Sequence, residues 1–453
     1  MATQSAANAV DFAVADFYSD KELHRDPHAY FTWLREQGPV TRLPHRNVVA
    51  ITGYEEAIQV MLDNEHFSAI NAVTGPVPAI PVEVHGDDIS AAVQAARPKL
   101  AFADQIVTQD GARHADLRSV MSRLFTPSRL KAVEANLVHT SNALIDEFIA
   151  DGKVELVAQY GRPYATLVIT DLLGIPAKDR AWFRDAFRAS IPVEIGASDE
   201  AIAKNPLFDA AKKIFGYIMS RRLLLGNPVS RFVRWLANKI SPPKPGDRDD
   251  ILTELALARF PDGSNPKAAD VTGMAAFLFG AGQDTTNRLL AACLRQIAEL
   301  PDVQQRLRAD PSQIPTFIEE VLRFEGPVKG AGRLCVRTTT VGGVEIKAGT
   351  TLLVSHLAAN RDPRRFPDPG TFDMDRPKLK EHLAFGRGAH TCIGSPLARN
   401  EVRVSLEQIL SRIGNIRLSE QHHGTAGNRR IAYEPTYVLC AIKELYLEFE
   451  PIS

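Results

Sequence analysis

The chain has 453 residues, 45% of them hydrophobic and 24% charged, with a formal net charge of -1. That composition describes a globular protein able to bury a large core and enclose a ligand. It excludes a global charge suited to nucleic acid, and no run of ~18 apolar residues is present to span a bilayer. The first 18 residues have no basic start and no apolar stretch, so no secretory leader and no membrane anchor is expected, and the location is read as cytoplasmic. The four cysteines, Cys293, Cys335, Cys392 and Cys440, are spaced too widely for a disulfide framework or a paired metal site, so reduced thiols are expected.

Residues 1–25 are small and polar and read as a flexible arm. A helix is expected over 27–37, then strands over 40–44 and 48–52 about the turn Pro44-His45-Arg46-Asn47, then a helix over 54–62. Residues 71–110 are rich in Pro, Gly and Ala and read as a functional loop with one short helix. Helical periodicity dominates 113–260: Leu117, Met121 and Leu124 share one face, and Leu137, Leu144 and Phe148 another. Residues 226–250 contain Trp235 and the breaker run Ser241-Pro242-Pro243-Lys244-Pro245-Gly246, the pattern of an insertion or linker. Nearby Arg221, Arg222, Arg231, Arg234 and Lys239 read first as a solvated helix face, with contact to a membrane or partner as the alternative. One long helix is expected over 268–300 and another over 311–324. Strands follow over 333–341, 344–346 and 351–356, and a hairpin over 437–449. The fold class is mostly α with small β-sheets near both ends, without internal repeats.

The sharpest local pattern is Phe385-Gly386-Arg387-Gly388-Ala389-His390-Thr391-Cys392-Ile393-Gly394. Glycines allow positive φ and close backbone approach to a flat ligand. A cysteine opening a helix has its thiolate stabilised by free N–H groups and the helix dipole. No second Cys or His stands at zinc spacing, which favours a single axial ligand. Taken alone, the loop is also consistent with a buried cysteine beside a tight turn.

A second pattern, Leu278-Phe279-Gly280-Ala281-Gly282-Gln283-Asp284-Thr285-Thr286, places two glycines and a carboxylate inside the long apolar helix. Each interior glycine costs ~1 kcal/mol relative to alanine. A buried carboxylate is unfavourable unless paired or used. A groove with a proton-handling pair accounts for both, and a kinked core helix whose threonines bond back to carbonyls is the plainer account.

The cysteine loop resembles the Phe-x-x-Gly-x-His/Arg-x-Cys-x-Gly signature of the cytochrome P-450 family, at Phe385, Gly388, His390, Cys392 and Gly394. The resemblance implies a haem b whose iron is held by Cys392. Residues 281–285 resemble the family's Ala/Gly-Gly-x-Asp/Glu-Thr motif. By that resemblance Ala281 and Gly282 leave room for O2, and Asp284 and Thr285 organise proton delivery. Glu320 and Arg323 resemble the family's Glu-x-x-Arg pair, with Arg376 or a neighbour as third member. The resemblance also implies haem propionate partners at His114, Arg118, Arg333 and His390. Because one cofactor would draw on residues 114–394, a single domain over 26–453 is expected.

The expected activity is insertion of one oxygen atom from O2 into an apolar small molecule, with electrons from a separate ferredoxin, by a monomeric protein. Arg113, Arg123, Arg129, Lys131, Arg364 and Arg387 are candidates for a basic ferredoxin-docking face. A peroxide-driven relative, a haem sensor and a haem-thiolate isomerase or dehydratase are the competing functions; the Asp284–Thr285 pair argues against each. By resemblance the substrate pocket draws on residues 71–110, 184–210, 277–285, 328–333 and 434–438. Their apolar content favours a terpenoid, steroid, fatty-acid or aromatic ligand held by shape. Arg97 and Lys99 could anchor a carboxylate, though both read first as solvated.

Overall fold

Side-chain caps set where the helices begin. In this computed structural model, which describes residues 10–77, 79–100, 102–188, 204–240 and 250–452, α1 (Pro27–Gln37) starts at Asp26. The Asp26 carboxylate accepts from the backbone N–H of His28 and Ala29, and Pro27 takes the first helical position. β1 (Val40–Arg42) and β2 (Val48–Ile51) pair antiparallel before α2 (Tyr54–Leu62). β3 (Phe67–Ser68) leads into the long irregular stretch, whose one α-helix is α3 (Ser90–Ala96). α4 (Gly111–Ser122), α5 (Pro127–Asp146), β4 (Lys153–Glu155), α6 (Arg162–Leu173) and α7 (Ala177–Arg188) follow.

α8 (Pro206–Leu225) and α9 (Pro228–Ile240) are joined by Gly226 and Asn227. The candidate insertion thus begins as a helix; its breaker run lies outside the described residues. α10 (Ile251–Ala256) is capped by Asp250, which accepts from the Thr253 N–H at 2.7 Å. α11 (Ala268–Glu299) has 32 residues and runs through the middle of the molecule. After α12 (Pro301–Ala309) and α13 (Ile314–Glu325) come β5 (Gly330–Cys335), β6 (Thr339–Val341), β7 (Val344–Ile346) and β8 (Thr351–Ser355). The cysteine loop opens α14 (Ser395–Arg412), and β9 (Ile413–Leu418) and β10 (Tyr446–Pro451) end the chain.

The largest sheet has the order β1-β2-β8-β5-β3, with β2 and β8 parallel and the other neighbours antiparallel. The parallel register sets Val48 beside Thr351, so the N-terminal hairpin is completed by strands 300 residues later. A second sheet has the order β4-β10-β9, and β6 pairs with β7.

Three expectations change. The strand expected over 333–341 is two strands: the N–H of Val336 bonds the His66 carbonyl and that of Thr338 the Asp87 carbonyl, which draws the backbone off the sheet. The hairpin expected over 437–449 is displaced: the chain turns back so that Tyr433 pairs antiparallel with Ile442. β10 begins only at Tyr446, and Leu447 faces both Val154 and Leu418. Alternation identified a half-buried strand but carried no information on its partners. The arm expected over 1–25 is packed over its described part: Phe17, Tyr18, Leu23 and His24 are buried.

α11 separates two apolar cores. Val271, Met274, Ala275, Leu278 and Phe279 pack with residues of α6, α7 and α8. Leu289 to Ile297 contribute to a second core with α5, α13 and α14. The segment 280–286 belongs to neither cluster. The glycines, the carboxylate and the threonines thus sit where the apolar packing is interrupted.

Candidate active site

In the interrupted segment Ala281 is exposed, although it lies near the centre of a helix buried on both sides. Thr285 donates its hydroxyl to the Ala281 carbonyl at 2.7 Å, an i to i-4 bond that bends helices. Gly282 faces the other way: a Cβ there would stand 3.3 Å from Ile169 Cδ1 of α6. Close helix packing therefore accounts for Gly282, while Ala281 lines the open side.

Asp284 is not a free carboxylate. Its Oδ2 accepts from Arg288 Nη2 at 2.9 Å, one helical turn on, and Arg288 Nη1 reaches Glu434 Oε2 at 2.9 Å. Arg162 Nη2 approaches Glu434 Oε1 at 3.3 Å. Arg288 is buried while the Asp284 side chain stays 31% exposed, so the pair has a dry end and an accessible end. Thr286 donates to Glu401 Oε2 on α14 at 2.7 Å. Glu401 is fully buried, and desolvation pushes its carboxyl up to about 8.

Arg162, Arg288 and Glu401 were not among the sequence candidates, and Glu434 was one only as the start of the expected pocket segment 434–438. The usable signals were charges on apolar stripes: Arg288 at i+4 from Asp284, and Glu401 four residues after Leu397 and before Ser405. Glu434 had none, because its partners come from α6 and α11.

The cysteine loop is built on two positive-φ glycines, Gly386 (66°) and Gly388 (72°). A Cβ on Gly388 would lie 2.8 Å from the Met61 carbonyl, so the loop is held against the end of α2. The Cys392 N–H bonds the Phe385 carbonyl at 2.8 Å, and the Phe385 ring lies 4.5 Å from the Arg399 guanidinium. α14 begins immediately after Gly394. Cys392 is exposed, yet most of its surroundings are protein. Burial pushes its thiol up, while the N–H groups of Gly394 and Ser395 and the charges of Arg118 and Arg399 oppose that shift.

The four expected propionate partners converge. His114 and His390 have ring centroids 4.2 Å apart. Burial lowers His390 to about 3, with further lowering from Arg333, His114 and Arg118. Arg118, held down by burial, is close enough to Cys392 to feel its charge. Arg333 is 7% exposed and donates to the Gly332 carbonyl at 2.8 Å; among the described residues it bonds no carboxylate. Burial lowers it to about 10. His356 lies beside it with a buried Nδ1 that bonds nothing among the described residues.

A buried cation without a carboxylate, as Arg333 is, is unfavourable; together with the Arg118 guanidinium and the two neutral imidazoles of His114 and His390 it offers donors that match a flat ligand with two carboxylates. Set beside a helix-opening cysteine, this group fits haem b.

Glu320 and Arg323 are both fully buried and form a two-bond pair, with Arg323 Nη2 to Glu320 Oε1 at 2.6 Å and Nε to Oε2 at 2.7 Å. Arg323 also donates to the carbonyls of Asn360, Pro369 and Thr371. Arg376, the expected third member, has its Nε 3.6 Å from Glu320 Oε1.

The basic docking face is smaller than expected. Arg113 pairs with Asp270, Arg129 is buried against Glu254, and Arg364 pairs with Glu56 and Asp362. Arg97 is likewise taken, by Asp110 and the carbonyls of Ala103 and Thr108, so it does not anchor a substrate carboxylate.

A long distal helix, a cysteine loop and a cluster of basic side chains between them define a haem-thiolate protein. Comparison with known proteins agrees. The cytochrome P450 family model matches residues 237–414. The chain is 31% identical over 407 residues to the cytochrome P450 monooxygenase PikC of Streptomyces venezuelae, covering 88% of this chain and 86% of that protein. It is 30% identical over 403 residues to 6-deoxyerythronolide B hydroxylase of Saccharopolyspora erythraea, covering 88% and 91%. The structure of substrate-free CYP150A6 from Mycobacterium marinum superposes with a TM-score of 0.85 at 44% identity, covering 98% of this chain and all of that one. The chain belongs to the cytochrome P450 family; it is a haem b monooxygenase. Among the described residues no helix is long and apolar enough to cross a membrane.

Proposed function

We propose that Cys392 ligates the haem iron and that residues 26–453 form one catalytic unit that hydroxylates an apolar small molecule. Haem b supplies the redox chemistry that splits O2, one atom going to the substrate and the other leaving as water. The Arg118 and Arg333 guanidiniums and the His114 and His390 imidazole N–H groups hold the propionates. The N–H groups of Gly394 and Ser395 steady the thiolate and temper its donation.

Proton supply falls to α11. Arg288 binds Oδ2 of Asp284 and leaves Oδ1 to accept protons from solvent and pass them inward. The Thr285 hydroxyl, seated on the Ala281 carbonyl, orients the receiving water. In this reading a separate ferredoxin supplies the electrons. Arg123 and Lys131 are exposed and remain candidates for its docking.

The observation that carries the reading is the buried Arg333, which bonds no carboxylate among the described residues, grouped with Arg118, His114 and His390 beside Cys392. Its test is a titration of the purified ferric protein with a panel of terpenoids, steroids, fatty acids and aromatics, followed at the Soret band. A shift towards high spin with one class, followed by oxygenated product with O2 and a ferredoxin system, supports it. Failure to take up haem at all overturns it.

A further inference from the structure

We propose that α8 and α9 form a peripheral docking face for an anionic lipid surface, which goes beyond the monooxygenase reading. Fifteen large apolar side chains are exposed on the described residues, and ten of them lie between Phe208 and Leu236. On α9, Val229, Phe232, Val233 and Leu236 recur at i, i+3, i+4 and i+7, a single helical stripe, and each is at least 43% exposed. Trp235 flanks it, 52% exposed, with its ring stacked 5.8 Å from Phe232 and Lys239 Nζ 4.5 Å from its centroid. On α8, Phe208, Phe215, Met219 and Leu223 form a second exposed stripe at spacings of 7, 4 and 4. A stripe at helical spacing normally faces a core; these two face outward.

The charge pattern selects the occupant. From Ala210 to Gly246 the sequence has eight Lys and Arg and no Asp or Glu, in a chain whose net charge is -1. Four of these cations are engaged within the fold: Arg221 pairs with Asp250 and Lys212 with Asp209, Arg222 donates to the Pro266 carbonyl, and Lys213 sits over the Trp182 ring. On α9 itself, Arg231 and Arg234 occupy helix positions opposite the apolar stripe, and Lys239 borders it. An exposed aromatic and aliphatic stripe, arginines at the remaining helix positions 231 and 234, and a Trp–Lys pair at the border are the composition of a helix that lies in the headgroup region of an anionic bilayer. An acidic protein would satisfy the charges but not the two exposed apolar stripes.

The experiment is flotation of the haem-loaded protein with vesicles of phosphatidylcholine alone and of phosphatidylcholine mixed with phosphatidylglycerol. Expected are binding to the mixed vesicles only, release by salt, and a blue shift of tryptophan emission. Trp235→Phe should keep the binding and lose the shift. Phe232→Ser/Trp235→Ser/Leu236→Ser should stay unbound with an unchanged Soret band. Lys239→Gln should lower partitioning about fivefold. No flotation with the mixed vesicles overturns the proposal, as does full binding by the triple variant. A concentration-dependent dimer that the triple variant dissociates, without vesicle binding, also overturns it and gives the face to a second copy of the chain.

Discussion

Thr286 donates its hydroxyl to Glu401 at 2.7 Å, tying the middle of α11 to the helix that follows the Cys392 loop. The two sides of the active site are therefore linked by one buried hydrogen bond to a carboxyl that burial raises to about 8.

That carboxyl makes stability depend on pH. Glu401 rises from the ordinary 4.5 to about 8, so the folded state holds one proton more than the unfolded state between those values. The stabilisation is full below 4.5 and is lost as pH rises towards about 8, at ~1.4 kcal/mol per unit. Glu401→Gln has no such proton. The unfolding free energy of the wild type minus that of the variant should therefore fall across the window and level off above it. Denaturant curves at a series of pH values measure it, and a flat difference contradicts the assignment.

Asp284→Asn should lower product formation about a hundredfold, the usual contribution of a positioned proton donor. Thr285→Ala should keep O2 consumption while diverting it to hydrogen peroxide. Product, O2 and peroxide measured together test both. Unchanged product per O2 in both variants would remove the pair from the proton path.

Arg333→Leu should act with opposite signs on the two forms of the protein. Without haem, Arg333 is a buried cation that bonds no carboxylate among the described residues, so its removal should raise the denaturation midpoint of the apoprotein. With haem, a charged hydrogen bond is lost and haem affinity should drop about tenfold or more. Cys392→Ser should retain the fold and move the ferrous carbon-monoxide Soret band to shorter wavelength. An apoprotein destabilised by Arg333→Leu would show that the guanidinium serves the fold instead.

Arg323→Leu strips the fully buried Glu320 of its two-bond partner and leaves it only Arg376 Nε at 3.6 Å and the Asp373 N–H at 2.8 Å, and should cost ~3–5 kcal/mol. The segment 360–376, which Arg323 ties down through three carbonyls, should become the first site of proteolysis. Limited digestion with mapping of the cut sites checks this; cleavage unchanged from wild type speaks against it.

Much of the catalytic centre is local in sequence. The cysteine loop spans ten residues and the α11 motif nine, and in each the residues that matter share one turn or one helix face. Glycines at 386 and 388, a helix starting after 394 and an i+4 bond from Thr285 follow from nearest-neighbour geometry, so they were legible without a fold. His114 and Arg118 share a face for the same reason, and the helix periods of 27–37, 54–62 and 268–300 carried over almost residue for residue.

What the sequence could not carry is the pairing of groups far apart in it. Glu434 meets Arg288 and Arg162 from 146 and 272 residues away. β10 bonds β4 and β9 where alternation suggested a hairpin, because alternation marks a buried face and not a partner. Arg113, Arg129 and Arg364 read as free charge until the fold supplied their acids. In the same way only the tertiary structure decided that the apolar stripes of α8 and α9 face outward. A helical period states that one side is apolar, and it takes the packing of the whole chain to determine whether anything covers it.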